Sequence, residues 1–94
     1  MSEKTHAIVL IKSDRTGLAS LGGDLADIEG VAEAYSVTGE WDFVAILRLR
    51  DHDQLRDVVT GKISQLSGVV ATMTMVAFEV YSRHDLEALF SVGQ

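Results

Sequence analysis

The sequence predicts an α+β domain in the split, ferredoxin-like βαββαβ arrangement, and three observations carry that prediction. Four short apolar runs rich in valine and isoleucine, at residues 7–11, 31–37, 43–49 and 69–81, read as strands. Two segments with apolar residues at helical spacing separate the first run from the second and the third from the fourth. The strand runs are apolar on both sides rather than alternating with polar residues, so both faces of the sheet require cover.

The first run, AIVLI, offers Ala7, Val9 and Ile11 one way and Ile8 and Leu10 the other. Leu18, Leu21, Leu25 and Ile28 follow at intervals of three, four and three, the face of one helix that Gly30 can end. Gly22 and Gly23 weaken that helix, each by up to about 1 kcal/mol relative to alanine. In the second strand Val31, Glu33, Tyr35 and Val37 share one side, with Ala32, Ala34 and Ser36 on the other. Gly39 and Glu40 make the turn. The third strand places Phe43, Ala45, Leu47 and Leu49 on one face and Val44, Ile46 and Arg48 on the other. Asp51 caps a second helix, Gln54 takes the reciprocal capping-box position, and Leu55, Val58, Val59, Ile63 and Leu66 form its apolar face up to Gly68. Residues 69–81 form a long last strand. Residues 82–91 read as a short terminal helix with Leu86, Leu89 and Phe90 on one side, which divides the chain into a domain at 1–81 and a tail at 82–94.

Right-handed crossovers put both main helices on one face of the four-stranded sheet. The opposite face is then bare and apolar. Burying even ~600 Å² of it stabilises association by on the order of 15 kcal/mol before association costs, so a homodimer with two sheets face to face is expected.

Composition limits the function classes. The 94 residues make one domain, and 47% hydrophobic against 23% charged residues argues against disorder. Fourteen acidic and eight basic side chains give a net charge of −6, so DNA meets net repulsion, and no basic stripe or helix-turn-helix segment offsets it. Arg48 and Arg50 stand close enough to clamp an anion or to solvate an edge strand. There is no cysteine, hence neither a disulfide framework nor a thiolate zinc site. No signal peptide or membrane-spanning run is evident, so a cytoplasmic protein is expected. His6, His52 and His84 form neither HExxH nor HxH, and no metal or cofactor is expected.

The polar run VTGEWDF, at residues 37–43, is the candidate site. Gly39 allows φ > 0 or a close backbone approach, Glu40 and Asp42 supply acceptors, and Trp41 supplies a flat surface. The same run also reads as a plain hairpin turn, with Trp41 and Phe43 as packing residues.

The runs GVAEAYSVTGEWDFVAILRLRD at 30–51 and GVVATMTMVAF at 68–78 carry a resemblance to the regulatory ligand-binding domain of Lrp/AsnC transcription factors, the RAM domain. The likeness covers residues 5–80, with a GxxD turn and a threonine-containing last strand. The family's N-terminal DNA-binding domain has no counterpart here, so the chain looks like a stand-alone version. The resemblance implies a dimeric α/β barrel, assembled further into tetramers, octamers or decamers. It also implies small effectors, usually amino acids, held between dimers. Carried over, the effector region falls on Gly39, Glu40 and Asp42, with Thr74, Met75, Val76 and Ala77 contributed across the interface. Asp42 suits a ligand ammonium, backbone N–H groups near Gly39 suit its carboxylate, and Met75 and Ala77 suit an apolar side chain or, equally, the dimer core. A full-length regulator is then a possible partner. Two other readings remain: a small monooxygenase- or isomerase-like barrel enzyme, disfavoured by the lack of an obvious nucleophile, and an assembly adaptor docking through the tail helix.

Overall fold

The computed structural model describes residues 4–81 and residue 83. Strands β1 (Thr5–Ser13), β2 (Val31–Ser36), β3 (Phe43–Leu49) and β4 (Val69–Val76) form one antiparallel sheet in the order β2-β3-β1-β4. Helices α1 (Leu21–Ala26) and α2 (His52–Gly61) cover one face. This is the expected βαββαβ arrangement. Its core joins Ala7, Val9 and Ile11 of β1 and Phe43, Ala45, Leu47 and Leu49 of β3 to Leu21 and Leu25 of α1 and Val58 of α2, all buried. The alternation expected for β1 and β3 is therefore borne out.

Helix α1 departs from expectation. In place of one helix through residues 18–28 there is a 3-10 turn, Thr16–Ala19, and then only six α-helical residues, and Leu18 is 52% exposed. The turn is held from outside the helix, because Asp14 Oδ1 accepts from the Gly17 backbone N–H at 2.8 Å and from Thr16 Oγ1 at 2.9 Å. Gly17 also lies against Gly68, close enough that a Cβ on Gly17 would stand 3.1 Å from the Gly68 Cα. Leu21 and Leu25 keep their places in the core, and Ile28 still packs against it beyond the helix end.

The Gly17 N–H and then the Thr16 hydroxyl favour the ionised Asp14 carboxylate and hold it below the ordinary aspartate range. A carboxyl held low in the folded state contributes stability above its unfolded value and loses it as pH falls through the folded one. Asp14→Asn is therefore expected to lower the melting temperature at neutral pH. The gap between variant and parent should close in the acid limb, which melting curves from pH 7 to pH 2 measure; a constant gap would refute this role.

Strand β2 carries a bulge. Val31 pairs with Leu47 but Glu33 pairs with Ile46, so Ala32 is the extra residue and the alternation resets. Val31 and Ala34 consequently pack against the core, and the expected grouping of Val31 with Glu33 and Tyr35 does not hold. Asp51 caps α2 as expected, its Oδ1 accepting from Gln54 N–H at 2.9 Å, whereas the Gln54 side chain accepts from Arg50 N–H at 2.7 Å rather than from Asp51. The helix stops at Gly61, not at Gly68. Lys62 leaves helical geometry, and a second 3-10 turn, Ile63–Gln65, then buries Ile63. Strand β4 ends at Val76 instead of continuing to residue 81, because its partner β1 begins at Thr5 and the last link is Ala77 N–H to His6 O at 2.9 Å. The helix expected at residues 82–91 lies, apart from Arg83, outside the described residues, as does the tail assigned to 82–94. Because β3 is an interior strand, solvation of a sheet edge is not the role of Arg48.

Among the described residues nothing covers the second face of the sheet. Ile8, Leu10, Val44 and Ile46 lie half-buried there, and Met73 and Met75, opposite Leu10 and Ile8, are 49% and 44% exposed.

Candidate functional site

The β2–β3 turn is fastened to the end of β1 through Asp42. Its N–H donates to Ile11 O at 2.9 Å, its carbonyl accepts from Val37 N–H at 3.0 Å, and its Oδ2 accepts from Ser13 N–H at 2.8 Å. The β1–β3 pairing ends at Ile11 and Phe43, so Ser13 N–H lies beyond it, and a side chain one residue before β3 is placed to satisfy that group. Asp42 Oδ1 accepts from no described residue. Gly39 adopts φ +111°, and a Cβ placed on it would meet nothing within 4 Å, so the turn stands open to solvent at that point. Glu40 is exposed, Trp41 is half-buried with Lys12 Nζ 5.8 Å from its ring centroid, and Phe43 belongs to the core. Trp41 and Phe43 thus fill the packing roles the sequence assigned to them.

The second set of candidates lies elsewhere in the same chain. Thr74 and Val76 sit opposite Val9 and Ala7, on the helix-covered face. Met75 sits opposite Ile8, on the uncovered one. The turn is bonded to Ile11 and Ser13 while Ala77 is bonded to His6, a separation of about five strand residues, or roughly 17 Å. Within one chain Ala77 is thus set well apart from Gly39, Glu40 and Asp42, whereas Thr74, opposite Val9, is only two β1 residues from Ile11. A site that joins the turn to Ala77 has to be completed by another copy.

Val76 and Ala77 instead line a surface depression of about 460 Å³ with Lys4, Thr5, Arg50, Asp51, His52 and Phe78. Sequence reasoning missed Lys4, Thr5 and His52 as neighbours of the last strand. Only the antiparallel pairing of β4 with β1 creates that neighbourhood, and no local motif signals it. On the uncovered face, Tyr35 has its phenol pushed up by a hydrogen bond to Glu33 and by that carboxylate's charge, with Arg48 opposing. Tyr81 is raised in the same way by its hydrogen bond to Glu79. Among the described residues no three His, Asp or Glu side chains are grouped so as to hold a metal ion, and no helix is long and apolar enough to cross a membrane.

Comparison with known proteins gives a consistent picture. The family model of the Lrp/AsnC ligand binding domain matches residues 6–86. An HTH-type transcriptional regulator of Pyrococcus furiosus is 36% identical over 77 residues, 79% of this chain and 51% of that protein. The chain spans about half the length of the curated relatives it matches. Among solved structures, TTHA0845 from Thermus thermophilus is 46% identical, with a TM-score of 0.79 over 84% of this chain and 99% of that one. AsnC of E. coli superposes with a TM-score of 0.75 over 81% of this chain and 52% of that one; at 22% identity this likeness concerns the fold.

Proposed function

The chain belongs to the Lrp/AsnC ligand-binding domain family, and from that premise we propose that it is an amino-acid-binding regulatory module. It works as a homodimer whose uncovered sheets pack face to face into an α/β barrel. Dimers assemble further, to tetramers, octamers or decamers, and the effector binds where the Gly39–Asp42 turn of one dimer meets β4 of another. A ligand shared between subunits favours the assembled form by mass action, and this links effector concentration to assembly. Full-length regulators carrying the same domain are the partners it would join. A net charge of −6 opposes direct contact with DNA.

The observation that carries this reading is the Asp42 turn. Hydrogen bonds fix it to β1, Gly39 leaves its backbone unshielded, and Asp42 keeps one carboxylate oxygen for a ligand ammonium. The turn is thus prepared for binding before any ligand arrives, which lowers the ordering cost of association.

The test is a thermal-shift panel of the twenty amino acids on the parent and on Asp42→Asn. Asparagine can still accept from Ser13 N–H but no longer offers a charge, so each variant's own baseline isolates the ligand effect. An effector at a hundred times its dissociation constant should stabilise the parent by about 2.7 kcal/mol. Loss of the charge-assisted contact, about 1.5–3 kcal/mol, should weaken binding to the variant roughly tenfold or more. A panel in which no amino acid raises the melting temperature would refute the sensing role.

A further inference from the structure

The end of the molecule where β1 begins and β4 finishes gathers cationic groups that neither the Asp42 turn nor the uncovered face uses, beside Val76 and Ala77 of β4 and its end. The hydrogen bond from Ala77 N–H to His6 O pins the end of β4 beside the start of β1, and the one from Arg50 N–H to Gln54 Oε1 fixes the step from β3 into α2. Between these two clamps lies the depression of about 460 Å³, a size that accommodates a small organic ligand. Lys4, Arg50 and His52 contribute to its polar lining, and Val76 and Phe78 to its apolar lining.

Two features distinguish this groove from ordinary solvated surface. Arg50 also lines two adjoining depressions, one shared with Arg56 and Lys62 and the other with Lys4 and Arg48, so five of the eight lysines and arginines of an acidic chain gather around one run of grooves. Glu29 and Asp57 make the outer grooves mixed in charge. Among the described residues the one acid in the groove beside Phe78 is Asp51, whose Oδ1 is already engaged by Gln54 N–H as the helix cap. The second feature is Phe78 itself. Its relative exposure is 103%, so no described residue covers this side chain, which lines the same depression as Lys4 and Arg50. A guanidinium offers two parallel donors to a carboxylate, and an exposed ring with a neighbouring valine offers a surface to hydrocarbon.

We propose that this groove is a second ligand site, separate from the Asp42 turn, that takes a small monocarboxylate with an apolar or aromatic tail. Arg50 pairs with the carboxylate, Lys4 and His52 add donors, and Val76 and Phe78 meet the tail. Of the anion clamp that the sequence allowed for Arg48 and Arg50 together, only Arg50 lines this groove. The site rests on Lys4, Arg50 and His52, which take no part in the Asp42 turn, and a ligand without an ammonium group does not call on Asp42, so the two readings fail separately.

The test is a titration of the full chain with 3-phenylpropionate, followed through backbone amide chemical shifts. Saturable shifts are expected at Thr5, Arg50, His52 and Ala77 at millimolar ligand. Arg50→Gln, which keeps the backbone bond to Gln54, should weaken binding by at least about tenfold. The neutral analogue 3-phenylpropan-1-ol should give no saturable shift at those amides. Binding that maps to residues 37–43, equal affinity for the alcohol, or an unchanged constant in Arg50→Gln would overturn the proposal. Inorganic phosphate shifting the same amides as strongly would reduce the groove to an anion site, and tighter binding of an aspartate-rich peptide would make it a docking surface; either result also overturns it.

Discussion

Replacing Ile46 by glutamate is expected to dissociate the protein into folded monomers. Ile46 lies on β3, an interior strand, on the face that no described element covers, opposite Ile8 of β1. Across a face-to-face pair of sheets its side chain enters the apolar centre of the interface. An ionised carboxylate there stands between Ile8 and the like-charged Glu33, with Val44 and Arg48 two residues away on either side along β3, and burying it at the apolar centre costs several kcal/mol. A loss of about 4 kcal/mol raises the dissociation constant roughly a thousandfold. The helix-covered core does not include Ile46, so the variant should keep the far-ultraviolet circular dichroism of the parent. Sedimentation velocity at micromolar concentration distinguishes the outcomes: a parent that runs as a dimer and a variant that runs as a monomer support the barrel. A monomeric parent, or a variant that remains dimeric, would refute it.

Gly68→Ala should produce a large loss of stability for a single added methyl. Gly68 adopts φ +97°, where an L-residue is disfavoured by roughly 1–2 kcal/mol. Its new Cβ would stand 2.8 Å from the Gly17 Cα and 3.4 Å from the Gly17 nitrogen, and neither backbone atom can move without disturbing the Asp14 bonds that organise the 3-10 turn. The Asp14 N–H donates to Gly68 O at 2.8 Å, so the two loops are locked from both sides. A total near 3–5 kcal/mol is expected, a large part of the 5–15 kcal/mol typical of a domain and equivalent to a melting-temperature drop of at least about 12 °C. Gly39→Ala is the control. Gly39 also has positive φ, +111°, but a Cβ there meets nothing within 4 Å, so only the conformational cost of about 1 kcal/mol remains. Equal melting temperatures for the two variants would remove the clash from the explanation.

These two positions also mark what can be read from a sequence. Gly39 stands in a polar run between two apolar strands, and its turn is legible from that context. Gly68 sits before β4 with no local sign that another glycine, fifty-one residues earlier in the chain, lies against it. The same distinction runs through the elements. Strand β3 and the Asp51 cap were legible because strand alternation and capping depend on residues within a few positions. The ends of α1, α2 and β4 were not, because a helix stops where tertiary contacts take over its backbone groups and a strand stops where its partner does.

For the candidate site, Asp42 was legible as an acid beside an apolar run that needed a partner. That its partner is the Ser13 N–H required the strand order. The split of Thr74 and Val76 from Met75 between two faces followed from period-two alternation. The distance between them and the turn did not, since it depends on how β4 is registered on β1.

By itself the sequence determined the strand and helix order, the two-sided apolar sheet, the acidic net charge and the polar turn, because each is written in residue type and local spacing. The tertiary structure alone decided the Gly17–Gly68 contact, the bulge in β2, the anchoring of Asp42 and the gathering of Lys4, Arg50 and Phe78 around one groove. Each of these joins residues far apart in the chain, and such neighbours are chosen by strand pairing and loop packing, which no local pattern encodes.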